Sequence, residues 1–271
     1  LTSVCIAGGV AQNSVANGKI TRNTPFTNVY IPSAGHDAGI SMGAAMYVYH
    51  QALQQTRVPA LRSAYTGSHF SNAAIEQFLQ GEGVSFKRYQ DQDLFDRVAQ
   101  ALADGAVIGW FNGRAEFGPR ALGGRSILAD PRRHDAKELL NAKVKRRESF
   151  RPFAPSILAE QVQEYFEVTD AVPFMEKVFP IRKDKQDQIP AVTHVDGTGR
   201  LQSVEKDVTP RYYQLIQAFF KKTGVPILLN TSFNENEPIV NTPAEALDCF
   251  RRTNMDMLVL ENIIIERSQL N

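Results

Sequence analysis

Directly after an apolar run, Ala106 to Phe111, the chain enters FNGRAEFGPRALGGRSIL, where glycines at 113, 118, 123 and 124 and Pro119 defeat any regular period. A buried strand that opens into so many backbone-permissive residues ends in a loop, and Arg114, Arg120 and Arg125 recur along that loop at spacings of six and five. No single helical face accommodates such spacing. It suits a loop folded around a ligand, carried at the end of a strand in an α/β scaffold.

The charge is local. Eleven of the thirty Lys and Arg residues lie between Arg114 and Arg151, against five acids (Glu116, Asp130, Asp135, Glu138, Glu148). The window therefore carries +6 in a chain of net +1, which leaves the remainder at −5 by difference. A protein that grips nucleic acid through phosphates is usually basic over a whole domain, because each released counterion adds affinity. A small phosphate ester needs only a few donors, and arginine supplies them in pairs. The pattern favours a small phosphorylated substrate, with an RNA-binding module as the alternative that a basic window leaves open.

A second basic segment, KVKRRESFRPFAP, reads as the other half of the pocket. If extended, Lys143, Lys145 and Arg147 alternate onto one side, with Arg146 on the other, and Arg151 is held extended by the proline that follows. LLNTSFNENEPIV places Asn230, Thr231, Ser232 and Asn234 at the C-terminal end of a strand, where α/β sheets bind ligands. Arg200, in DGTGR, reads as a lone charge on a flexible hairpin turn.

The remaining pattern is α/β. Val4–Ala7 reads as a buried strand, followed by a Gly8-Gly9 turn and a helix from Gln12 to Ile20. NVYIP forms a second strand, SAGHDAGIS a polar loop, and Gly39 to Gln55 a closely packing helix. Thr56 to Ser71 has no period, which sets a boundary near residues 58–70. Beyond it, helices are expected over 72–80, 93–103, 134–144, 210–222 and 243–252, the last N-capped by Thr242. Strands are expected at VSFKRY, Ala106 to Phe111, PFAPSIL, VFPIRK, PILLN and MLVLENIIIE, with a hairpin turning at Asp196-Gly197 in AVTHVDGTGRLQSV.

At 271 residues and 43% apolar content the chain can bury a real core. No apolar run approaches the roughly 20 residues that span a bilayer, and a cytoplasmic location is the default expectation. Cys5 and Cys249 both sit in apolar surroundings and read as free buried thiols. The chain opens on Leu1 directly into a strand and a glycine turn, which reads as an entry in the middle of a domain.

GGVAQNSVANGKI, AGHDAGISMGAA, FNGRAEFGPRALGGRSILADPR, KVKRRESFRPFAPSIL and LLNTSFNENEPIVNTPAEAL, in that order, resemble the C-terminal half of the O-carbamoyltransferases related to nodulation and antibiotic-tailoring enzymes. The resemblance covers nearly the whole chain. It implies that residues 1–60 are the remnant of an ATPase-like α/β domain of the actin and sugar-kinase type. Residues 61–271 would then form a YrdC-like domain, a twisted mixed sheet with flanking helices.

The resemblance implies a mechanism too. Carbamoyl phosphate is attacked in the YrdC-like domain, its carbamoyl group passes to ATP as a carbamoyl adenylate, and the group then reaches an acceptor hydroxyl of a sugar or natural product. Arg120, Lys145 and Arg151 would be catalytic, with Arg114, Arg125, Arg200, Asn230, Ser232 and Asn234 binding substrate. Gly8, Gly9 and Asn13 would touch the nucleotide. Asp37 would be one carboxylate of a divalent metal site (iron or magnesium) whose other ligands belong to an N-terminal half. A chain of this extent is expected to hold no catalytic metal and to fall short of complete transfer.

Overall fold

The computed structural model describes residues 1–59, 61–145, 152–168 and 170–270. Near the start, β1 (Ser3–Cys5) and β2 (Asn28–Tyr30) pair in parallel, Val4 opposite Val29. The main sheet takes up β3 (Lys87–Arg88), β4 (Ile108–Phe111), β5 (Arg125–Ala129), β6 (Ala154–Leu158), β7 (Lys177–Pro180), β8 (Thr198–Val204), β9 (Ile227–Ser232), β10 (Met257–Leu260) and β11 (Ile263–Glu266). Among the described residues these nine strands run in the order β3-β11-β10-β4-β5-β9-β6-β8-β7. Only β4–β10 and β6–β8 are parallel, so the fold is mixed α/β around a mostly antiparallel sheet.

The helices that cover the sheet form where the sequence period demands them. Pro210–Thr223 starts on a proline at its first turn, stops at Gly224 in the left-handed region, and buries Tyr212, Leu215, Ile216 and Phe219. Complete burial of Phe219 alone contributes about 1.5–3 kcal/mol. This helix packs on Asp91–Ala103, whose Phe95 lies against Trp110 of β4 with ring centroids 6.5 Å apart. Pro243–Arg252 begins at Thr242, which closes a full capping box with Glu245. These elements match the sequence expectation within a residue or two.

Register collects polar side chains on one face. Residues directly opposite each other across a ladder share a face, as do residues two apart on a strand. Ser126 lies opposite Ser232, Asn230 opposite Ala154, and Ser156 opposite Gln202. Ser126, Ser156, Arg200, Gln202, Asn230 and Ser232 therefore form a polar stripe across β5, β9, β6 and β8, on the same face as Trp110.

Several expectations are corrected. The helix expected over Gln12 to Ile20 is three short pieces, Gly9–Gln12, Ser14–Asn17 and Ile20–Asn23, because the Asn13 side chain accepts from Ala16 N and starts a new turn. Gly39 to Gln55 is α-helical only to Tyr47, passes into a π-helical turn at Val48–Ala52, and buries none of its residues. β1 is exposed rather than buried, and Cys5 with it, because the sheet of β1 and β2 has just two strands; Cys249 is buried as expected. AVTHVDGTGRLQSV does turn around Asp196-Gly197, with Gly197 N donating to His194 O and His194 N to Thr198 O, but it holds the single strand β8, and the strand antiparallel to β8 is β7 rather than the first half of this segment. Part of the aperiodic connector is ordered against the arginine loop, with Gly67 N donating to Ala115 O, Ala115 N to Ser68 O and Phe117 N to Ala64 O.

Candidate functional site

The end of the loop between β4 and β5, Ala121 to Gly124, is fastened at nearly every backbone group. Glu116 Oε1 accepts from the N–H groups of Leu122 and Gly124 at 2.6 Å each and of Arg125 at 3.3 Å. Gly123 N donates to Ser126 Oγ. The carbonyls are held just as closely: Ala121 by Asn230, Leu122 by Gln202 and the Tyr65 hydroxyl, Gly123 by Trp110 Nε1, and Gly124 by Arg125. Successive N–H groups converging on one carboxylate form a small anion nest, filled here by the loop's own acid.

Arg125 is the centre of this clamp. It is 1% exposed, and it donates to the carbonyls of Asn112, Gly113, Gly124 and Ser68 while its guanidinium lies 3.5 Å over the Phe111 ring. Burial pulls its pKa down to about 10, with Glu116 and Glu261 acting in the opposite sense. Nη1 and Nη2 of Arg125, a residue expected to bind substrate, are engaged with these protein carbonyls, while its buried Nε has no hydrogen-bond partner among the described residues. Arg114 is exposed and donates to Gly67 O at 2.8 Å. Arg120 is half-buried, its pKa drawn down by burial, and its Nη2 reaches Gln12 O at 3.5 Å.

Lys145 is 4% exposed and ends a π-helical turn, Asn141–Lys145, rather than lying on an extended segment. Its alternation with Lys143 therefore fails: Lys143 pairs with Asp256 at 2.6 Å, while Lys145 Nζ donates to Ser232 O (2.6 Å), Ser232 Oγ (3.3 Å), Asn234 O (2.7 Å) and Asn234 Oδ1 (2.7 Å). Lysine, serine and asparagine from two distant sequence blocks thus meet at the C-terminal end of β9. Arg200 lies within β8, opposite Val178, and not on a flexible turn. Arg151, with Arg146 and Arg147, lies outside the described residues.

Asn230 is buried under the loop. Its Nδ2 donates toward Ala121 O, Ser156 Oγ and Gln202 Oε1, and Ser156 Oγ donates to Gln202 Oε1 at 2.5 Å. The structure thus brings together Asn230, Ser232, Asn234 and Lys145, ties Arg125 into the loop above them, and keeps Arg114 at the outer surface. Glu116, Ser156 and Gln202 belong to the same framework and were not anticipated from the sequence. Glu116 carried a signal, as the single carboxylate among three arginines between Gly113 and Arg125. Gln202 carried a fainter one, two residues beyond Arg200 on a strand.

The first 60 residues hold a different cavity. A cleft of about 580 Å³ is lined by Gly8, Tyr30, His36, Asp37, His50 and Arg57 among other residues. Gly8 adopts φ +90°, a left-handed backbone, and donates its N–H to Gly35 O. Gly9 and Asn13 are exposed, with Asn13 acting as a helix cap. Asp37 is exposed beside His36, and among the described residues no group of three or more His, Cys, Asp or Glu side chains is placed to hold a metal ion. The residues present do not compose a metal site by themselves, and no step below runs through one.

These features define an α/β protein with a cationic, amide-rich site at its strand ends. The chain matches the carbamoyltransferase C-terminus family over residues 99–267 and the carbamoyltransferase N-terminus family over residues 1–46, and it belongs to the carbamoyltransferase family. It is 47% identical to the uncharacterized protein sll1178 of Synechocystis, over 99% of this chain and 48% of that protein. It is 47% identical to nodulation protein NolNO of Sinorhizobium fredii, over 97% and 39%, and 44% identical to NolO of Bradyrhizobium diazoefficiens, over 98% and 50%. The chain therefore spans half or less of the length of these curated relatives. Full-length HypF aligns with a TM-score of 0.41 at 18% identity, over 68% of this chain and 22% of that one, a likeness too slight to bear on the fold. Among the described residues no helix is long and apolar enough to cross a membrane.

Proposed function

We propose that residues 61–271 act as a YrdC-like carbamoyltransferase domain, which binds carbamoyl phosphate and ATP and forms a carbamoyl adenylate for transfer to an acceptor hydroxyl. The observation that carries this reading is the meeting of Lys145, Ser232 and Asn234 at the end of β9, on the face that also bears Arg200. Opening carbamoyl phosphate puts negative charge on the departing phosphate, and fixed cations in a largely dry pocket stabilise that charge more than water does. The surrounding amides and hydroxyls suit the carbonyl and NH₂ of the carbamoyl group.

Residues 1–60 act in this reading as the end of an ATPase-like domain, with the Gly8 turn toward the nucleotide. Eleven of the twelve exposed large apolar side chains among the described residues, including Val10, Ile40, Tyr47 and Leu53, fall at or before Leu61. That concentration supports an apolar partner for this part of the chain, which in this reading is an ATPase-like portion of the kind the family resemblance implies. Complete transfer would draw on that portion, whereas donor binding would not.

Calorimetry with carbamoyl phosphate, with and without ATP, tests the reading. The expected outcome is saturable binding that Arg151→Ala weakens by about 1.5–3 kcal/mol, the value of a lost charge-assisted bond. Absence of binding to carbamoyl phosphate, or RNA binding with a steep salt dependence in its place, would overturn it.

A further inference from the structure

His194 has no part in the chemistry described so far. It sits half-buried just before β8, two residues ahead of the exposed Asp196 and close enough to Arg200 for the two to interact electrostatically. Its Nδ1 lies 3.0 Å from Thr198 Oγ1, and that hydroxyl donates to Asp196 Oδ1 at 2.7 Å. Asp196 also accepts from Thr198 N at 3.1 Å, and the Thr198 hydroxyl, followed by its backbone N–H, holds the Asp196 carboxyl below its ordinary pKa.

These contacts fix the tautomer. An ionised carboxylate can only accept, so the Thr198 hydroxyl spends its one proton on Asp196 and offers a lone pair to His194. Nδ1 must then carry the proton, and in the neutral ring Nε2 bears the free lone pair. Nε2 is buried and has no hydrogen-bond partner among the described residues. Asp196, Thr198 and His194 thus form a relay of the kind that orients a base, with its basic nitrogen left unengaged.

The position is consistent with the donor pocket. Thr198, Arg200 and Gln202 alternate along one face of β8, and Gln202 is hydrogen-bonded into the framework under the arginine loop through Leu122 O. We infer that His194 Nε2 is the proton acceptor for the water that opens carbamoyl phosphate, an inference that rests on the donor-site reading above. Water oxygen bonds to the carbamoyl carbon while Nε2 takes one water proton. The carbon–oxygen bond to phosphate then breaks with its electron pair on phosphate, which receives the proton from Nε2, so that carbamoyl phosphate and water give carbamic acid and hydrogen phosphate.

The charges around the ring favour the neutral form that this step needs. Burial lowers the His194 pKa, and Arg200 and Lys137 lower it further, against an opposing contribution from Asp196. Lys137 is held in place by its bond to Thr193 O at 3.1 Å. A base held down in this way is unprotonated above its pKa, so activity should fall on the acid side only below the usual histidine range of about 6.5.

The test uses the chain itself. With ¹⁵N-labelled histidine, Nδ1 of His194 should appear protonated and Nε2 unprotonated at neutral pH, and saturation with phosphonoacetamide, a non-hydrolysable analogue of carbamoyl phosphate, should shift Nε2. His194→Asn, which keeps a donor toward Thr198, should lower the rate of phosphate release from carbamoyl phosphate in the presence of ATP by about 100-fold, leave KM nearly unchanged and abolish the acid limb. Thr198→Val, which unlocks the tautomer, should mix the two ring forms in the spectrum and slow release to a lesser degree. An Nε2 signal unmoved at saturation, a wild-type chain that binds the donor yet releases no phosphate, or full release by His194→Asn would each overturn the inference. Failure of the wild type to bind any carbamoyl ligand by calorimetry would instead sink the donor-site reading beneath it.

Discussion

Lys145 and Arg252 both hold the chain as it leaves the end of β9. Lys145 holds Ser232 and Asn234, while Arg252 pairs with Glu235 and Glu237 at 2.9 Å each and with Asp248 at 2.8 Å. Burial tends to raise the Glu237 carboxyl, but its own backbone N–H, the Arg252 side chain and the N–H groups of 235 and 236 outweigh that and leave it at about 2. A carboxyl whose pKa is depressed on folding adds stability above its unfolded value of about 4.3 and loses it as pH falls toward the folded value. Glu237→Gln should therefore unfold more easily in urea at pH 6, yet lose less further stability than the wild type between about pH 4.3 and 2. An identical acid dependence in the two proteins would refute the linkage. Some of this site was legible residue by residue: Ser232, Asn234 and Lys145 were marked by residue type and block position. The use to which Arg125 is put was not legible, because nothing in a sequence shows that a guanidinium donates to four carbonyls of the protein, those of Asn112, Gly113, Gly124 and Ser68.

At the scale of elements, the arginine loop is built around Gly123. Its φ of +105° is a backbone that side-chain-bearing residues avoid, and a Cβ there would overlap the Tyr212 ring. Tyr212 is itself buried against the Ser156 and Asn230 framework, so neither partner can yield without unseating the loop. Gly123→Ala should cost about 1–3 kcal/mol of stability from overpacking and backbone strain, measurable in a denaturant titration, and should weaken donor binding as Arg120 loses its setting. Retention of both wild-type stability and wild-type affinity would show the loop to be more compliant than its hydrogen bonds imply. The loop's irregularity was readable from its glycines, and the flanking helices from their period and caps. β5 as a whole was not, because it opens on Arg125 and Ser126, polar residues in a strand buried on both faces, where only the tertiary clamp makes them tolerable. AVTHVDGTGRLQSV misled in the other direction. Asp196-Gly197 is a turn signal, but the Asp196–Thr198–His194 contacts absorb the first half, and β7 rather than that half supplies the partner for β8.

Across the whole molecule, residues 1–55 meet the main sheet chiefly at its β7 edge. Asn17 is 4% exposed and donates through Nδ2 to Ala11 O at 2.8 Å and to Glu176 O at 2.9 Å, so one amide both shapes the first segment and fastens it to the second. Arg22 adds a bond to Glu167 O and lies 5.6 Å from the centre of the Phe179 ring. Between them, Gly18 sits so close to β7 that a Cβ would overlap the carbonyl of Val178. That carbonyl belongs to a paired strand and cannot retreat without breaking the β7–β8 ladder. By contrast, the core spanning Ile75 to Ile265 includes no residue from the first segment. The two parts should therefore separate in stability when this seam is opened. Gly18→Val should release residues 1–55 while leaving the main sheet folded: amide exchange should rise through Ser3–Tyr30 and stay slow in β4, β9 and β10, and limited proteolysis should cut before Asn72 far sooner than in the wild type. Equal protection of both parts in the variant, or their joint unfolding, would mean that the seam is not the hinge of this molecule. If the main sheet survives alone with carbamoyl phosphate binding intact, the donor site belongs to residues 61–271 without help from the first segment, and the Arg120–Gln12 contact is dispensable for binding.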